Sequence, residues 1–286
     1  MGFCVSELRE EREKVSRKKV VVDLYCGAGG TTTGMLQAAA ELGIELECVA
    51  VNHNTFAIST HSINHPGVRH YCQSVQDVDP REAIPGGIVD LLWASLECTH
   101  HSNARGGTPM SDQSRSSAWD LLRWCKELDV ETVMIENVRE FRDWGPLHPH
   151  DDPIKKLQGR PIQERKGEFY CAFLEQLGQL GYEIDVRLLN AADYGDPTSR
   201  KRLFIQAQKR QGIVWPAPTH GQGKAPHRTA RQIIDWSIKG KSIFGRKKPL
   251  AENTMRRIMA GLEKFGSKEL KPWLVVFRNN MDGRDL

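Results

Sequence analysis

Short apolar runs bounded by glycine, proline and charged residues alternate, along the first two thirds of the chain, with stretches whose apolar positions repeat at helical spacing. Val20-Val21-Val22-Asp23-Leu24-Tyr25 reads as a buried strand, and Gly27-Ala28-Gly29-Gly30 as a tight turn into a helix over 33–42. Further strands are expected at 46–51, 89–94, 132–135, 182–189 and 203–208, with helical patterns between most of them. This alternation predicts an open, mostly parallel α/β sheet. In such sheets ligands collect beyond the carboxyl ends of the strands, so the residues after each strand are where chemistry is sought.

Composition narrows the picture. With 286 residues and 39% hydrophobic content, one large core is expected, with a small appended region. No apolar run approaches the roughly 18 residues of a membrane span. The N-terminal stretch is charged and lacks the apolar core of a signal peptide. Seven cysteines without paired spacing predict reduced thiols, and with them a cytoplasmic protein and no metal site.

Charge is uneven along the chain. Residues 1–205 carry 23 Lys and Arg against 30 Asp and Glu, whereas 206–286 carry 17 against 6. A basic tail on an acidic body suits a polyanion partner, although a solvated basic surface would carry the same charge. Between them, 211–223 is rich in Gly, Pro, His and Gln and reads as a linker, followed by helical patterns at 229–238 and 253–264 and a short apolar run at 273–277. The expected organisation is a charged segment at 1–18, an α/β body at 19–210 and a basic tail at 211–286.

Four motifs fall just beyond expected strands. In Asp23-Leu24-Tyr25-Cys26-Gly27-Ala28-Gly29-Gly30 the glycines let backbone amides approach a ligand at a helix start, as a generic nucleotide-binding turn also would. The spacing is not that of a dinucleotide fold, and Asn52, His53 and Asn54 follow the second strand where a ribose-binding acid is expected. In Ser95-Leu96-Glu97-Cys98-Thr99-His100-His101-Ser102 a thiol follows an apolar strand, near histidines and Arg105 that favour its thiolate. A zinc site or an inert thiol are the rival readings, and no second ligand cluster accompanies it.

The third motif, Val133-Met134-Ile135-Glu136-Asn137-Val138, ends a strand on a carboxylate whose withdrawal from water would raise its pKa; alone, it would more often be a cap or an ion-pair partner. In the fourth, Arg200 and Arg202 alternate at strand spacing and present both side chains to one face, as an exposed basic strand also would.

In this order the four motifs, across roughly 20–207, resemble the C5-cytosine DNA methyltransferase family. The resemblance implies a Rossmann-like, S-adenosylmethionine-dependent methyltransferase domain with helices on both faces. It implies that Cys98 adds to carbon 6 of a flipped cytosine, that Glu136 shares a proton with ring nitrogen 3, and that Asn137 positions the strand end. Arg202 would contact the cytosine carbonyl, while Arg200 braces the cysteine loop or a phosphate. Asp23, Cys26, Gly27, Gly29 and Gly30 would surround the methionine moiety, Asn52 would face the ribose and Asp77, within 74–78, the adenine.

The implied substrate is double-stranded DNA, in a prokaryotic or phage-encoded restriction-modification setting at the nucleoid. Departures from the pattern are Leu96 where a proline is expected, Thr198 where a Gln often stands, and no recognisable closing strand and helix after the double-arginine strand. The last departure implies a truncated chain, completed by a second polypeptide or reduced to a non-catalytic DNA-binding remnant. An RNA cytosine methyltransferase is the alternative enzyme.

Overall fold

A computed structural model describes residues 17–97, 117–238, 245 and 247–265. Among these, seven strands form one sheet in the order β3-β2-β1-β4-β5-β7-β6. Strands β1 (Lys19–Leu24), β2 (Leu46–Val51), β3 (Arg69–Tyr71), β4 (Ile88–Ser95) and β5 (Asp129–Asn137) run parallel. The strand β7 (Lys201–Gln208) lies antiparallel between β5 and β6 (Glu183–Asn190). Each strand expected from the apolar runs is present. The three-residue β3 was not expected, because its Arg-His-Tyr sequence carries no apolar pattern and it serves as an edge.

The central strands are valine- and leucine-rich because parallel strands are buried on both faces. One face carries Val22, Leu24, Val49, Leu92, Ala94, Val133, Ile135, Leu203 and Ile205, all fully buried. It is covered by α4 (Ser117–Glu127) through Leu121 and Trp124, and by α5 (Glu168–Gln179) through Phe173 and Leu177. On the other face Cys48 and Ala50 of β2 pack against Ile58 of α2 (Thr55–Asn64), while Thr32 of α1 (Gly30–Leu42) bonds Asp23 of β1. The helix α1 begins after Gly29 and ends at Gly43, both in the left-handed conformation that glycine adopts without strain. Asn54 caps α2, its side-chain oxygen accepting from the amides of Phe56 and Ala57, and Asp79 caps the short α3 (Pro80–Ala83) in the same way, accepting from the amides of Arg81 and Glu82.

The stretch after β7 departs from a free linker. Gln206 Nε2 donates to the Val214 carbonyl at 3.1 Å, Trp215 Nε1 donates to Asp185 Oδ2 at 2.7 Å, and the Arg187 guanidinium sits over the Trp215 ring. The chain is thus laid along the sheet beside β6. The helix expected at 229–238 is reduced to a single 3-10 turn, Ala230–Gln232, with a capping box between Thr229 and Gln232. Its apolar positions Ile233 and Ile238 are 62% and 74% exposed, so no packed face sustains a longer helix. The last described helix, α6 (Glu252–Phe265), agrees with the pattern at 253–264. The run at 273–277 lies outside the described residues.

Candidate active site

Register brings the carboxyl ends of the parallel strands to one edge. Leu24 pairs with Val51 and with Ala94, Val51 with Tyr71, and Ser95 with Glu136. The loops carrying the first three motifs therefore leave one rim, and the antiparallel β7 begins at that rim and runs away from it. Side chains alternate along strands, so Asp23, Trp93, Met134, Glu136, Arg202 and Phe204 share one face.

Over the β5 to β7 part of that face lies a cavity of about 430 Å³. Its apolar floor is Trp93, Met134 and Phe204, and its polar end is Glu136, Arg200 and Arg202. Trp215 and Pro216, from the expected linker, close one side. The Arg202 Nε lies 3.0 Å from Glu136 Oε1, both side chains being about one-fifth exposed. Burial raises the Glu136 pKa above the usual carboxylate range, and the charges of Arg202 and Arg200 only partly oppose this. A carboxyl so placed holds a proton more readily than a solvated one. Arg200 and Arg202 both reach the cavity, as their two-residue spacing predicts, but Arg202 already has Glu136 as its partner.

Asn137 is buried on the opposite face, where its Oδ1 accepts from the Val138 amide at 2.7 Å. Its amide nitrogen has no hydrogen-bond partner among the described residues. Cys98 lies outside the described residues. The strand leading to it ends with Ser95 level with Glu136, and Glu97 Oε1 stands 4.0 Å from His53 Nδ1 in the loop after β2.

The glycine loop is built from below. Asp23 has no accessible surface, and its Oδ2 accepts from the Thr32 hydroxyl at 2.8 Å. It therefore supports the loop through Thr32 instead of lining it. Burial lifts the Asp23 pKa to about 7, against the lowering effect of Thr32, and pushes the Cys26 thiol up to about 12. Cys26 is thus a neutral thiol, and its backbone shapes the turn: its amide donates to the Val51 carbonyl at 3.2 Å and its carbonyl accepts from the Gly29 amide at 3.1 Å. Gly27 and Gly30 face open space, whereas a side chain at Gly29 would strike the rings of His65 and His61. The first turn of α1 has no side-chain cap and no acidic residue, leaving its amides for an incoming anion.

Two further strand ends complete the rim. Asn52 Oδ1 accepts from the Asn54 amide at 2.9 Å, which fixes its side chain in a turn. Asp77 is exposed in the turn after β3. That turn is held by Arg123 of α4, which donates to the carbonyls of Val75, Gln76 and Val78 at 2.9, 3.2 and 2.8 Å. Tyr25, at φ 59°, donates to Asp120 Oδ2 at 3.1 Å and so ties the glycine loop to the same helix. Sequence reading missed Arg123, Thr32, His61 and Trp215, because each acts on residues far away in the chain. Among the described residues no group of histidine, cysteine, aspartate or glutamate side chains is arranged to hold a metal ion, and no helix is long and apolar enough to cross a membrane.

Five parallel strands, a reversed β7 and a glycine loop after β1 make an α/β Rossmann-like fold typical of S-adenosylmethionine-dependent methyltransferases. Residues 20–158 and 160–263 match the family model for C-5 cytosine-specific DNA methylases. The chain belongs to that family. The match continues into α6, well beyond the double-arginine strand. The chain is 28% identical over 210 residues to the type II methyltransferase M.AgeI of Thalassovita gelatinovora, covering 71% of this chain and 43% of that protein. It is 25% identical over 257 residues to the type II methyltransferase M.BsuRI of Bacillus subtilis, covering 80% and 53%. It thus spans about half the length of these relatives. The fold is similar to that of the S. pombe Dnmt2 methyltransferase, with a TM-score of 0.54 at 16% identity, over 87% of this chain and 66% of that one.

Proposed function

We propose that the protein methylates carbon 5 of cytosine in double-stranded DNA, with residues 19–210 as the catalytic and cofactor-binding body and 211–286 as part of the DNA-reading surface. The observation that carries this reading is the Glu136–Arg202 pair, 3.0 Å apart at the polar end of a cavity with an aromatic floor. A pyrimidine needs such a place: flat apolar contact below, and a proton-holding carboxyl and a cation at its polar edge. The strand that runs into Cys98 ends beside it.

S-adenosylmethionine, when bound, supplies an electrophilic methyl group. Gly27 and Gly30, in the turn that Cys26 and Gly29 shape, would hold its amino-acid end against the uncapped start of α1, over the support that Asp23 provides; Asn52 would face the ribose and Asp77 the adenine. The open space above Gly27 and Gly30 fits this role. The Cys98 thiolate adds to carbon 6 of a flipped cytosine, and Glu136 provides a proton to nitrogen 3, so that electron density gathers at carbon 5. Arg202, oriented by Glu136, would serve the adjacent carbonyl oxygen as a charge-assisted donor. Arg200 contacts a phosphate or the cysteine loop, and Asn137 fixes the end of β5. Once carbon 5 carries the methyl group it loses its proton to a base, the electron pair released restores the ring double bond and expels Cys98 as a thiolate, and nitrogen 3 returns its proton to Glu136. Extrusion of the base costs a few kcal/mol, met by contacts to the opened DNA.

The test compares methyl transfer by the full chain to duplex DNA and to transfer RNA. Transfer to DNA with at least tenfold preference is expected. A preference for transfer RNA would replace the DNA reading with an RNA methyltransferase, and DNA binding without transfer to either substrate would favour a non-catalytic role.

A further inference from the structure

Beneath the glycine loop a line of hydrogen bonds runs from the buried Asp23 toward the surface. Thr32 Oγ1 bonds Asp23 Oδ2 at 2.8 Å, His61 Nε2 lies 3.1 Å from Thr32 Oγ1, and His70 Nε2 lies 2.8 Å from His61 Nδ1. Asp23, Thr32 and His61 have no accessible surface, while His70 is partly exposed on the edge strand β3. The backbone of Val68 also hydrogen-bonds the His70 ring and favours its charged form.

The line can be satisfied in two ways, and each uses the same number of protons. In the first, Asp23 is ionised: Thr32 donates to it, His61 donates from Nε2 to Thr32, and an imidazolium at His70 donates to His61 Nδ1. In the second, Asp23 is protonated and donates to Thr32, Thr32 donates to His61 Nε2, and His61 donates from Nδ1 to a neutral His70. Passing between them moves the Asp23 proton to Thr32, the Thr32 proton to His61 Nε2 and the His61 Nδ1 proton to His70. With both ends protonated, and the Asp23 proton on the oxygen that faces Thr32, two N–H groups meet between His61 and His70. With neither protonated, two bare nitrogens meet there unless His70 gives up its bond to the Val68 backbone. One shared proton is the arrangement that keeps every bond of the line together with the Val68 bond.

We propose that Thr32, His61 and His70 form a proton relay that connects Asp23 to the surface, holding one proton between its ends. A cationic ligand above the glycine loop draws that proton from Asp23 to His70; this second part rests on the loop being the cofactor site. Burial moves the two ends in opposite directions, raising Asp23 to about 7 and lowering His70 from its usual value. Burial, followed by the neighbouring His70 and His65, lowers His61 to about 4, so it stays neutral and able to pass protons in either direction. The other titratable groups nearby are Cys26 and Cys48 beside Asp23, both neutral thiols, and His65, which contacts Gly29 O and Thr33 Oγ1 and packs edge-on to His61. Arg69, next to His70, is paired with Glu47.

The test is nitrogen-15 NMR of histidine-labelled full chain. In the free protein His70 is expected to titrate in two steps separated by more than about one pH unit, as coupled groups do. Asp23→Asn and Thr32→Val should each reduce this to one step, and Thr32→Ser, which keeps the hydroxyl, should restore two. A His70 titration identical in wild type and Asp23→Asn overturns the relay, and the wild-type comparison of Thr32→Ser with Thr32→Val separates this from a folding defect. Adding S-adenosylmethionine near pH 6.5 should move the His61 proton from Nδ1 to Nε2 and charge His70, whereas S-adenosylhomocysteine, without the sulfonium, should leave both largely unchanged. An unchanged His61 tautomer with both ligands bound, as measured by calorimetry on the same samples, overturns the ligand-driven step. If neither ligand binds, the cofactor reading of the loop fails, and the free-protein titration still decides the relay.

Discussion

Asp23 and Glu136 stand on the same face of one sheet, with only β4 between their strands, roughly 10 Å across at the usual strand spacing. Both carboxyls are raised by burial. Their surroundings then diverge. Asp23 is sealed under a loop, and the groups around it carry no fixed charge: a threonine, two thiols and a line of histidines. Glu136 opens into a cavity and faces two arginines, one of them in direct contact. A neutral hydrogen-bonded shell lets a buried acid keep or share its proton without a fixed countercharge. An arginine partner keeps the acid ionisable and leaves it open to substrate. The first arrangement suits support of a loop, and the second suits chemistry on a bound ring.

If Glu136 serves the reaction and Asp23 the loop, substitutions at the two places should have different consequences. The largest effect is expected one step from Glu136: Cys98→Ser should lower methyl transfer by roughly three or more orders of magnitude while S-adenosylhomocysteine binding, measured by calorimetry, stays within about twofold. Appreciable residual transfer would argue against Cys98 as nucleophile. Glu136→Gln should depress the single-turnover rate by roughly 10²–10⁴-fold with a much smaller change in DNA affinity. Equal losses in rate and affinity would make Glu136 a binding group.

Arg202→Met should cost about 10- to 100-fold in rate, the loss of a charge-assisted hydrogen bond. It also removes the nearest cation that opposes the raised Glu136 pKa, so the fall in rate at alkaline pH should move upward. A downward move would place the proton elsewhere.

The smallest effects concern stability. Asp23, raised from 3.8 to about 7, contributes stability that is present below pH 4 and lost as pH rises toward 7. His61, lowered from 6.5 to about 4, contributes stability that is present above pH 6.5 and lost as pH falls toward 4. Between those values the two slopes oppose each other, each at most about 1.4 kcal/mol per pH unit. In the melting temperature of wild type the contributions of these two groups should therefore largely offset each other from pH 4.5 to 6.5. Asp23→Asn should leave a rise with pH, and His61→Gln a fall.

Much of this was legible locally. The valine-rich runs of β1 and β5 declared buried parallel strands, the Glu136-Asn137-Val138 motif placed a carboxyl at a strand end, and the spacing of Arg200 and Arg202 put both on one face. What escaped was long-range or weakly patterned. Thr32 and His61 are 29 residues apart, and no periodicity links a threonine in a run of three to a histidine on another helix. The Gly- and Pro-rich composition after β7 pointed to a linker, but Trp215 finds Asp185 and Arg187 on β6 and becomes a wall of the cavity. β3 is too short and polar to show a pattern. The role of Cys98 rests on its motif and on where β4 ends.

Covalent trapping on duplex DNA containing 5-fluorocytosine tests that role. With fluorine at carbon 5 the final proton loss is blocked, so the enzyme remains attached after methyl transfer. With S-adenosylmethionine present, mass spectrometry should find the adduct on the peptide containing Cys98, absent in Cys98→Ser and slowed by roughly the factor that Glu136→Gln takes from the rate. Methyl transfer to ordinary cytosine with no adduct on the fluorinated duplex, or an adduct on another residue, would contradict the account.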